Sequence, residues 1–366
     1  MNISTVTEAP ATQGSAAADA ALLRGWIRDN AGRRPEAPYI VGVDQDRTLT
    51  YGELDRLVAR LGALLAGEGI GPNDRVVLLA NNSIEHLVTY VGVMACGATV
   101  CTVHVETNQS HLAPILAGLD PRLVVYEAEL GLDLPHEAAP AARWLALGHI
   151  GDADDSLFGL LSDAAAPAAD LSRPPAGSAS DVAAIFFTSG TTATPKGVVL
   201  TFRELMQNAA PTAAAFGMTA ADRILDFRPF NWASAQILSA LAPLSVGATL
   251  ILARKFSRSR FFAWIRDFHA TMAAGNPTTI NMLVNGDDTV TGRDLPSLRF
   301  VTSSSAPLTL QEWRRFEERF GIAIAQGYGT SETGWIAGSH EGARKVGSVG
   351  RPLPYHRLAI VTEDGT

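Results

Sequence analysis

Phe187-Thr188-Ser189-Gly190-Thr191-Thr192-Ala193-Thr194-Pro195-Lys196-Gly197 is the stretch on which the reading of this chain turns. Its hydroxyl residues, glycines, proline and lysine lie between two β-branched apolar runs, Val182 to Phe187 and Val198-Val199-Leu200. A short polar connection between two core strands has N–H groups free to point at an anion, hydroxyls to supplement them, and a lysine to neutralise charge. It is not a Walker sequence: five residues separate Gly190 from Lys196, and Gly197 replaces the Mg²⁺-binding Ser/Thr. A strand rather than a helix follows, so Lys196, hydroxyls and backbone would hold phosphate without a helix dipole. The same composition also suits a flexible surface hairpin.

The 366 residues allow about two domains. A net charge of -8 with no compensating basic run argues against a nucleic-acid partner. Cys96 and Cys101 are the only cysteines and both lie in apolar segments, which predicts buried free thiols. Met1 to about Ala16 has no basic start and no apolar core, so it does not read as a signal peptide. No apolar stretch reaches membrane-spanning length. The expectation is a cytoplasmic protein with a disordered tail over residues 1–16 and no membrane partner.

Outward from the loop, strands and helices alternate. A short helix is expected over Leu22 to Asn30, then a strand at Tyr39-Ile40-Val41. Thr50-Tyr51-Gly52-Glu53 has the capping-box form, followed by apolar residues at helical spacing from Leu54 to Leu65. Strands at Arg75–Ala80, Ala98–Val103 and Leu123–Tyr126 alternate with helices near 84–94 and 112–119. From Glu127 to Asp181 the pattern dissolves into Ala, Pro, Asp and Gly, which predicts connecting structure. Thr201-Phe202-Arg203-Glu204 and Thr309-Leu310-Gln311-Glu312 are further capping boxes. Strands are expected at 224–227, 248–252, 271–274, 299–302 and 322–325, with helices over 233–241 and 260–268. This predicts an α/β fold of two successive doubly wound subdomains, 17–180 and 181–345, with helix-covered sheets. Residues 346–366 would begin a small β-rich, barrel-like subdomain. Ligand sites in such sheets lie beyond the carboxyl ends of strands.

Three segments directly follow expected strands: the loop at Thr188, the turn Ser303-Ser304-Ser305-Ala306-Pro307, and Tyr328 to Glu332. Glu332 sits among Gly, Thr and Ser, where an acid has no core role. A lone carboxylate beside phosphate oxygens suits Mg²⁺, though a plain turn acid reads the same way. Tyr328 offers a ring for stacking on a base, or a core edge. No metal spacing, G-x-S-x-G elbow or Cys/His pair occurs. A substrate carboxylate would need no general base, leaving positioning and charge neutralisation to carry catalysis. Arg254, Lys255, Arg258 and Arg260 form a basic cluster that reads either as a receiver of a ligand's phosphates or as a solvated helix start.

These residues carry a resemblance. Phe187 to Gly197 resembles the T-S-G-T-T-G-x-P-K-G signature of the ANL superfamily of adenylate-forming enzymes, which includes acyl-CoA synthetases, and Gly327 to Glu332 resembles its Y-G-x-T-E motif. Ser304-Ser305-Ala306-Pro307, Gly347-Ser348-Val349-Gly350-Arg351-Pro352 and Leu49 to Leu54 echo further family segments. The resemblance implies an acid–CoA ligase: a carboxylate attacks the α-phosphate of ATP, and a thiol, usually of CoA, then displaces AMP. It further implies that Thr188, Ser189, Gly190, Thr191, Thr192 and Lys196 hold the β- and γ-phosphates, with Glu332 and Thr188 on Mg²⁺. Tyr328 and Ser304 to Pro307 would flank adenine, with Gly327, Gly329 and Thr330 beside the nucleotide. Ser331 would touch the α-phosphate, and Lys196, Glu332 and Ser331 would be catalytic.

By family placement Trp232 stands beside the acyl carboxylate. Ala235, Gln236, Asn276, Pro277, Thr278, Ser303, Gly327, Gly329 and Trp335 would line the acyl pocket. Because they are mostly neutral and several are small, the acid is expected to be hydrophobic and bulky or cyclic. The chain stops at Thr366, short of the family's ribose-binding aspartate, hinge and small C-terminal domain, which would be its missing partner. Trp232 for the common His and the triple-serine turn also depart from the pattern. Ala193 stands where the family loop has glycine, at a cost of about 1 kcal/mol if that position needs positive φ. It suggests an enzyme that mainly uses a preformed acyl-adenylate. A domain that loads a carrier protein and a non-catalytic acyl-adenylate-binding module are the other readings; a homodimer is left open.

Overall fold

The computed structural model describes residues 18–188, 195–339 and 344–362. In chain order the strands begin with β1 (Pro38–Gly42), β2 (Arg47–Thr50), β3 (Arg75–Leu79), β4 (Thr99–Thr102) and β5 (Leu123–Tyr126). They continue with β6 (Arg143–Ala146), β7 (Val182–Thr188), β8 (Lys196–Thr201), β9 (Arg223–Asp226) and β10 (Thr249–Leu252). The last are β11 (Met272–Ala273), β12 (Phe300–Ser303), β13 (Ala323–Thr330), β14 (Gly334–Gly338) and β15 (Arg351–Pro352).

Among the described residues these form a nine-stranded sheet, β15-β14-β13-β12-β11-β9-β10-β1-β2, and a six-stranded sheet, β6-β5-β3-β4-β7-β8. Both are parallel in their centres; antiparallel pairs close both edges of the nine-stranded sheet and the β8 edge of the six-stranded one, whose β6 edge is parallel. The fold is therefore α/β with two helix-flanked, parallel-rich sheets, as the alternation predicts. The sheets do not divide the chain in order, however. β1 and β2 join the nine-stranded sheet through β10, while β7 and β8 join the six-stranded sheet through β4. Residues 351–352 add an edge strand to β14.

The helix Ile84–Ala95 is buried along its whole length and packs against β3 and β4 on one side and β1 on the other. A helix that is apolar nearly all round belongs in such an interior. Two of the three expected capping boxes form reciprocally. The Thr50 hydroxyl accepts from Glu53 N at 3.2 Å while Glu53 accepts from Thr50 N at 2.8 Å. Thr201 and Glu204 do the same at 3.3 and 2.8 Å. At Thr309 only half the box forms, because the Glu312 carboxylate accepts from the Thr309 hydroxyl and from Asn281 Nδ2.

Four expectations are corrected. The first helix spans Ala18–Arg33. The stretch 127–181 contains β6, paired with β5, and the helix Leu157–Ser162. The expected helix over 233–241 is an α-turn, Ala233–Ala235, running into a π-helix, Gln236–Leu241. Finally, the strand at 322–325 continues through the glycine-rich motif to Thr330. Cys101 is buried and Cys96 half-buried; burial pushes their thiols up to about 12 and about 11. No helix of the described residues is long and apolar enough to cross a membrane.

Candidate functional site

The hairpin β7–β8 pairs Phe187 with Gly197 and Thr188 with Lys196 at the end where its connection lies. The connecting residues Ser189, Gly190, Thr191, Thr192, Ala193 and Thr194 lie outside the described residues. Beside this end is a cavity of about 420 Å³. Phe186 and Phe187 form its wall from the six-stranded sheet. The other walls come from the nine-stranded sheet: Asn231 to Ser234 after β9, Ser304 and Ser305 after β12, Gly329 to Ser331 in and after β13, and Gly334 and Trp335 opposite. Each group stands at or just past a strand end, where the dipoles and free backbone groups of a doubly wound sheet converge.

Thr330 and Ser331 therefore reach the cavity, while Tyr328 is half-buried two residues earlier on β13 and Glu332 is exposed at the β13–β14 turn. The Glu332 carboxylate makes no hydrogen bond or ion pair among the described residues, and no group of three or more His, Cys, Asp or Glu gathers there. One exposed carboxylate next to Ser331, which lines the cavity, fits a Mg²⁺ shell completed by phosphate and water. Lys196 is exposed at the start of β8. Ser304 is buried; Ser305 is exposed with a left-handed φ of 73°, and Ala306 and Pro307 are exposed beyond it.

A second cavity, about 620 Å³, adjoins the first and shares Asn231 and Trp232 with it. Asn276 and Thr278 line this one rather than the first. Pro277 opens the helix Pro277–Val284, capped by the Asn276 side chain, which accepts from Thr279 N at 2.9 Å. Ala235, Gln236 and Ser303 are fully buried behind the first cavity's wall. Gln236 Nε2 bonds Thr102 Oγ1 at 3.0 Å and the Phe230 carbonyl at 2.5 Å, tying β4 to the Trp232 segment.

The room expected from small residues is absent. A Cβ added at Gly327 would overlap the Trp335 ring, and one at Gly329 would overlap the Gly334 carbonyl. Both glycines serve the close packing of the β13–β14 hairpin. The basic cluster is also largely spoken for. Arg254 pairs with Glu127, Arg258 with Asp287 and Asp288, and Arg260 with Asp44. Lys255 lines the second cavity.

Two residues that hold the site escaped the sequence reading. Arg228 is 1% exposed and chelates Asp226, which is 0% exposed. Its Nε lies 3.0 and 3.1 Å from the two carboxylate oxygens and Nη2 lies 2.7 Å from Oδ2. Its Nη1 reaches Ser304 Oγ at 3.4 Å. An Asp-x-Arg set in the apolar run from Ile224 to Phe230 was the available signal. Asn208, buried in the helix Phe202–Ala215, clamps the other side. Its Nδ2 donates to the carbonyls of Thr333 and Trp335 at 3.2 and 3.0 Å, and its Oδ1 accepts from Trp335 N at 2.9 Å.

The model of the AMP-binding enzyme family matches residues 27–366, and the chain belongs to that family. A sulfoacetate–CoA ligase of Cupriavidus necator is 32% identical over 358 residues, covering 94% of this chain and 66% of the relative. An oxalate–CoA ligase of Arabidopsis thaliana is 27% identical, with 95% and 68% covered. The crystal structure of ATP-bound MatB from Rhodopseudomonas palustris matches with a TM-score of 0.81 at 25% identity, over 91% of this chain and 65% of that one. The anthranilate–CoA ligase AuaEII with anthranoyl-AMP matches in fold, with a TM-score of 0.83 at 21% identity, over 94% and 66%. The chain thus spans about two thirds of the length of these relatives.

Proposed function

We propose that the chain binds nucleotide and acid for an AMP-forming acid–CoA ligase. The observation that carries this reading is the convergence of the β7–β8 hairpin end, the Ser304 turn and Thr330 with Ser331 on one cavity in a chain of the AMP-binding family. Relatives named as CoA ligases for sulfoacetate and oxalate support the acid and the thiol.

In the first step an acid carboxylate oxygen bonds to the α-phosphorus of ATP, and the bond to the bridging oxygen breaks, releasing pyrophosphate. In the second a CoA thiolate attacks the acyl carbon and AMP leaves. The carboxylate is already ionised, so no side chain need remove a proton in the first step. Ser331 and the Ser304 turn position the α-phosphate and adenosine, Lys196 with the hydroxyls beside it offsets the β,γ-phosphate charge, and Trp232 abuts the acid. Mg²⁺, held by Glu332, would supply further charge neutralisation on the phosphates.

Isothermal titration of the chain with ATP tests this. Mg²⁺ should tighten ATP binding in the parent, and Glu332→Gln should remove most of that gain while sparing AMP. Absence of any ATP or AMP binding would defeat the proposal.

A further inference from the structure

One strip of chain, Arg228 to Trp232, borders both cavities. All of it lines the larger one, and its last two residues, Asn231 and Trp232, line the smaller one as well. The strip follows β9, whose register with β10 ends at Asp226 and with β11 at Leu225. Its buried peptide groups therefore need partners other than a strand ladder.

Two buried side-chain amides supply them. Asn82 accepts from Phe230 N at 3.0 Å and donates to the Arg228 carbonyl at 2.9 Å. One bond accepted and one donated, two residues apart, is what a neighbouring strand would offer opposite Pro229, and an amide carries both groups. Asn82 Nδ2 also reaches the Ala253 carbonyl, just past β10, at 3.2 Å. Gln236 opens the π-helix Gln236–Leu241 and donates Nε2 to the Phe230 carbonyl at 2.5 Å and to Thr102 Oγ1 at 3.0 Å. Ser239 of the same π-helix donates to Asp226 Oδ2, the carboxylate that Arg228 chelates. Turns of this kind recur at functional sites.

Phe230 is thus held at both its N–H and its carbonyl. Asn82 follows β3 and Thr102 ends β4, so both bonds tie the strip to the six-stranded sheet. Past Phe230, Trp232 N donates to the Pro229 carbonyl at 3.0 Å, and the Trp232 carbonyl accepts from Ala235 N and Gln236 N. The Trp232 side of the strip is 39% exposed, so its place between the cavities is set by this backbone more than by packing.

We infer that Asn82 and Gln236 are positioning residues: they fix Asn231 and Trp232 as the partition that places the acyl group relative to the nucleotide. This rests on the acid–CoA ligase reading. Neither amide need touch the reacting atoms, since each acts through the peptide groups of Phe230.

Titration of the chain with AMP and with sulfamoyl-adenosine analogues carrying acetyl, sulfoacetyl, hexanoyl and benzoyl groups tests this. The analogue that the parent binds most tightly is the probe, and the quantity read is its affinity relative to that of AMP. Asn82→Leu should lower this ratio at least about tenfold while AMP weakens by less than about threefold. AMP is spared because Ser304, Thr330 and Ser331 stand at the ends of β12 and β13, off the strip. Gln236→Met frees only one end of Phe230; it should lower the ratio in part, and it serves alone if the Asn82 variant fails to fold. The double variant should lose less than the product of the two single losses, because either change releases the same strip. An equal fall for AMP and probe, no fall in either, or a full product in the double variant makes the amides merely structural and overturns the inference. A parent that binds AMP but no analogue more tightly than AMP overturns it too, leaving the nucleotide site standing. If neither AMP nor any analogue binds, the ligase reading itself falls.

Discussion

Replacing Arg228 with Met is the sharpest test of how the cavity floor is built. The side chain is 1% exposed and makes three close contacts to the fully buried Asp226 carboxylate. Methionine fills similar volume but leaves that charge with only the Ser239 hydroxyl at 2.5 Å and the backbone N–H of residue 228 at 2.8 Å. Breaking one side of a buried pair typically costs about 3–5 kcal/mol, chiefly for the charge left behind. In a chain of this size that corresponds to a fall in Tm on the order of 5–10 °C. Adding Asp226→Asn removes the stranded charge; its Oδ1 can still accept from the backbone N–H of residue 228 while its Nδ2 donates to the Ser239 hydroxyl oxygen, so the double variant should recover most of the loss. Differential scanning calorimetry of parent, single and double variants reads this directly. If Arg228→Met melted within a degree of the parent, or the double variant melted no higher than the single, the claim that Asp226 is desolvated and held by Arg228 would be wrong. Nucleotide affinity should change less than stability, because the bond from Nη1 to Ser304 is long at 3.4 Å.

Two further outcomes are expected. Burial lowers the His86 pKa to about 4 even though its Nδ1 lies 3.1 Å from the carbonyls of Ala80 and Asn81. The unfolded chain takes up this proton first as pH falls. The stability is therefore intact above about pH 6.5 and is lost as pH drops towards 4, by about 3 kcal/mol in all; His86→Gln should flatten that part of a Tm-against-pH profile. Asn208→Leu removes three hydrogen bonds from the turn bearing Ser331 and Glu332. It should lower Tm and also weaken Mg²⁺-dependent ATP binding by more than it weakens AMP binding. An equal loss for both ligands, measured by titration of the folded variant, would mean that Asn208 only stabilises.

The parts of the fold that were legible in the sequence are those whose signal is local. Thr50 with Glu53, and Thr201 with Glu204, name their helix starts because the reciprocal bonds span three residues. β5 was readable from Leu123 to Tyr126 because four consecutive apolar residues are needed where both faces are covered. β6 escaped because Arg143-Trp144-Leu145-Ala146 lies on a sheet edge and only Leu145 is buried, so neither alternation nor a solid apolar run marks it. Sheet partnership was unreadable for a different reason: β1 meets β10 across more than two hundred residues, and nothing in Tyr39-Ile40-Val41 specifies that neighbour. At the site, residue type misled where a glycine faces its own chain. Gly327 suggested space for a ligand, but the space belongs to Trp335, eight residues on and across a hairpin.

The exchange of segments between the sheets has a consequence for how the cavity holds its shape. Phe186 and Phe187 reach it from the six-stranded sheet, and the remaining walls come from the nine-stranded one. A cavity on such a seam would gape if the sheets could slide. The chain opposes sliding by stitching the sheets together in both directions, with β1 and β2 carried into the later sheet and β7 and β8 into the earlier one. The wholly buried helix Ile84–Ala95 packs against strands of both. Below it, Asn82 on the approach to that helix donates to the carbonyls of Arg228 and Ala253 and accepts from Phe230 N, bonding the six-stranded sheet's loop to the cavity floor. For the proposed reaction this rigidity matters more than any acid or base. A carboxylate attacking phosphorus gains its rate from in-line placement and fixed charges, and both depend on walls that belong to different sheets keeping one distance.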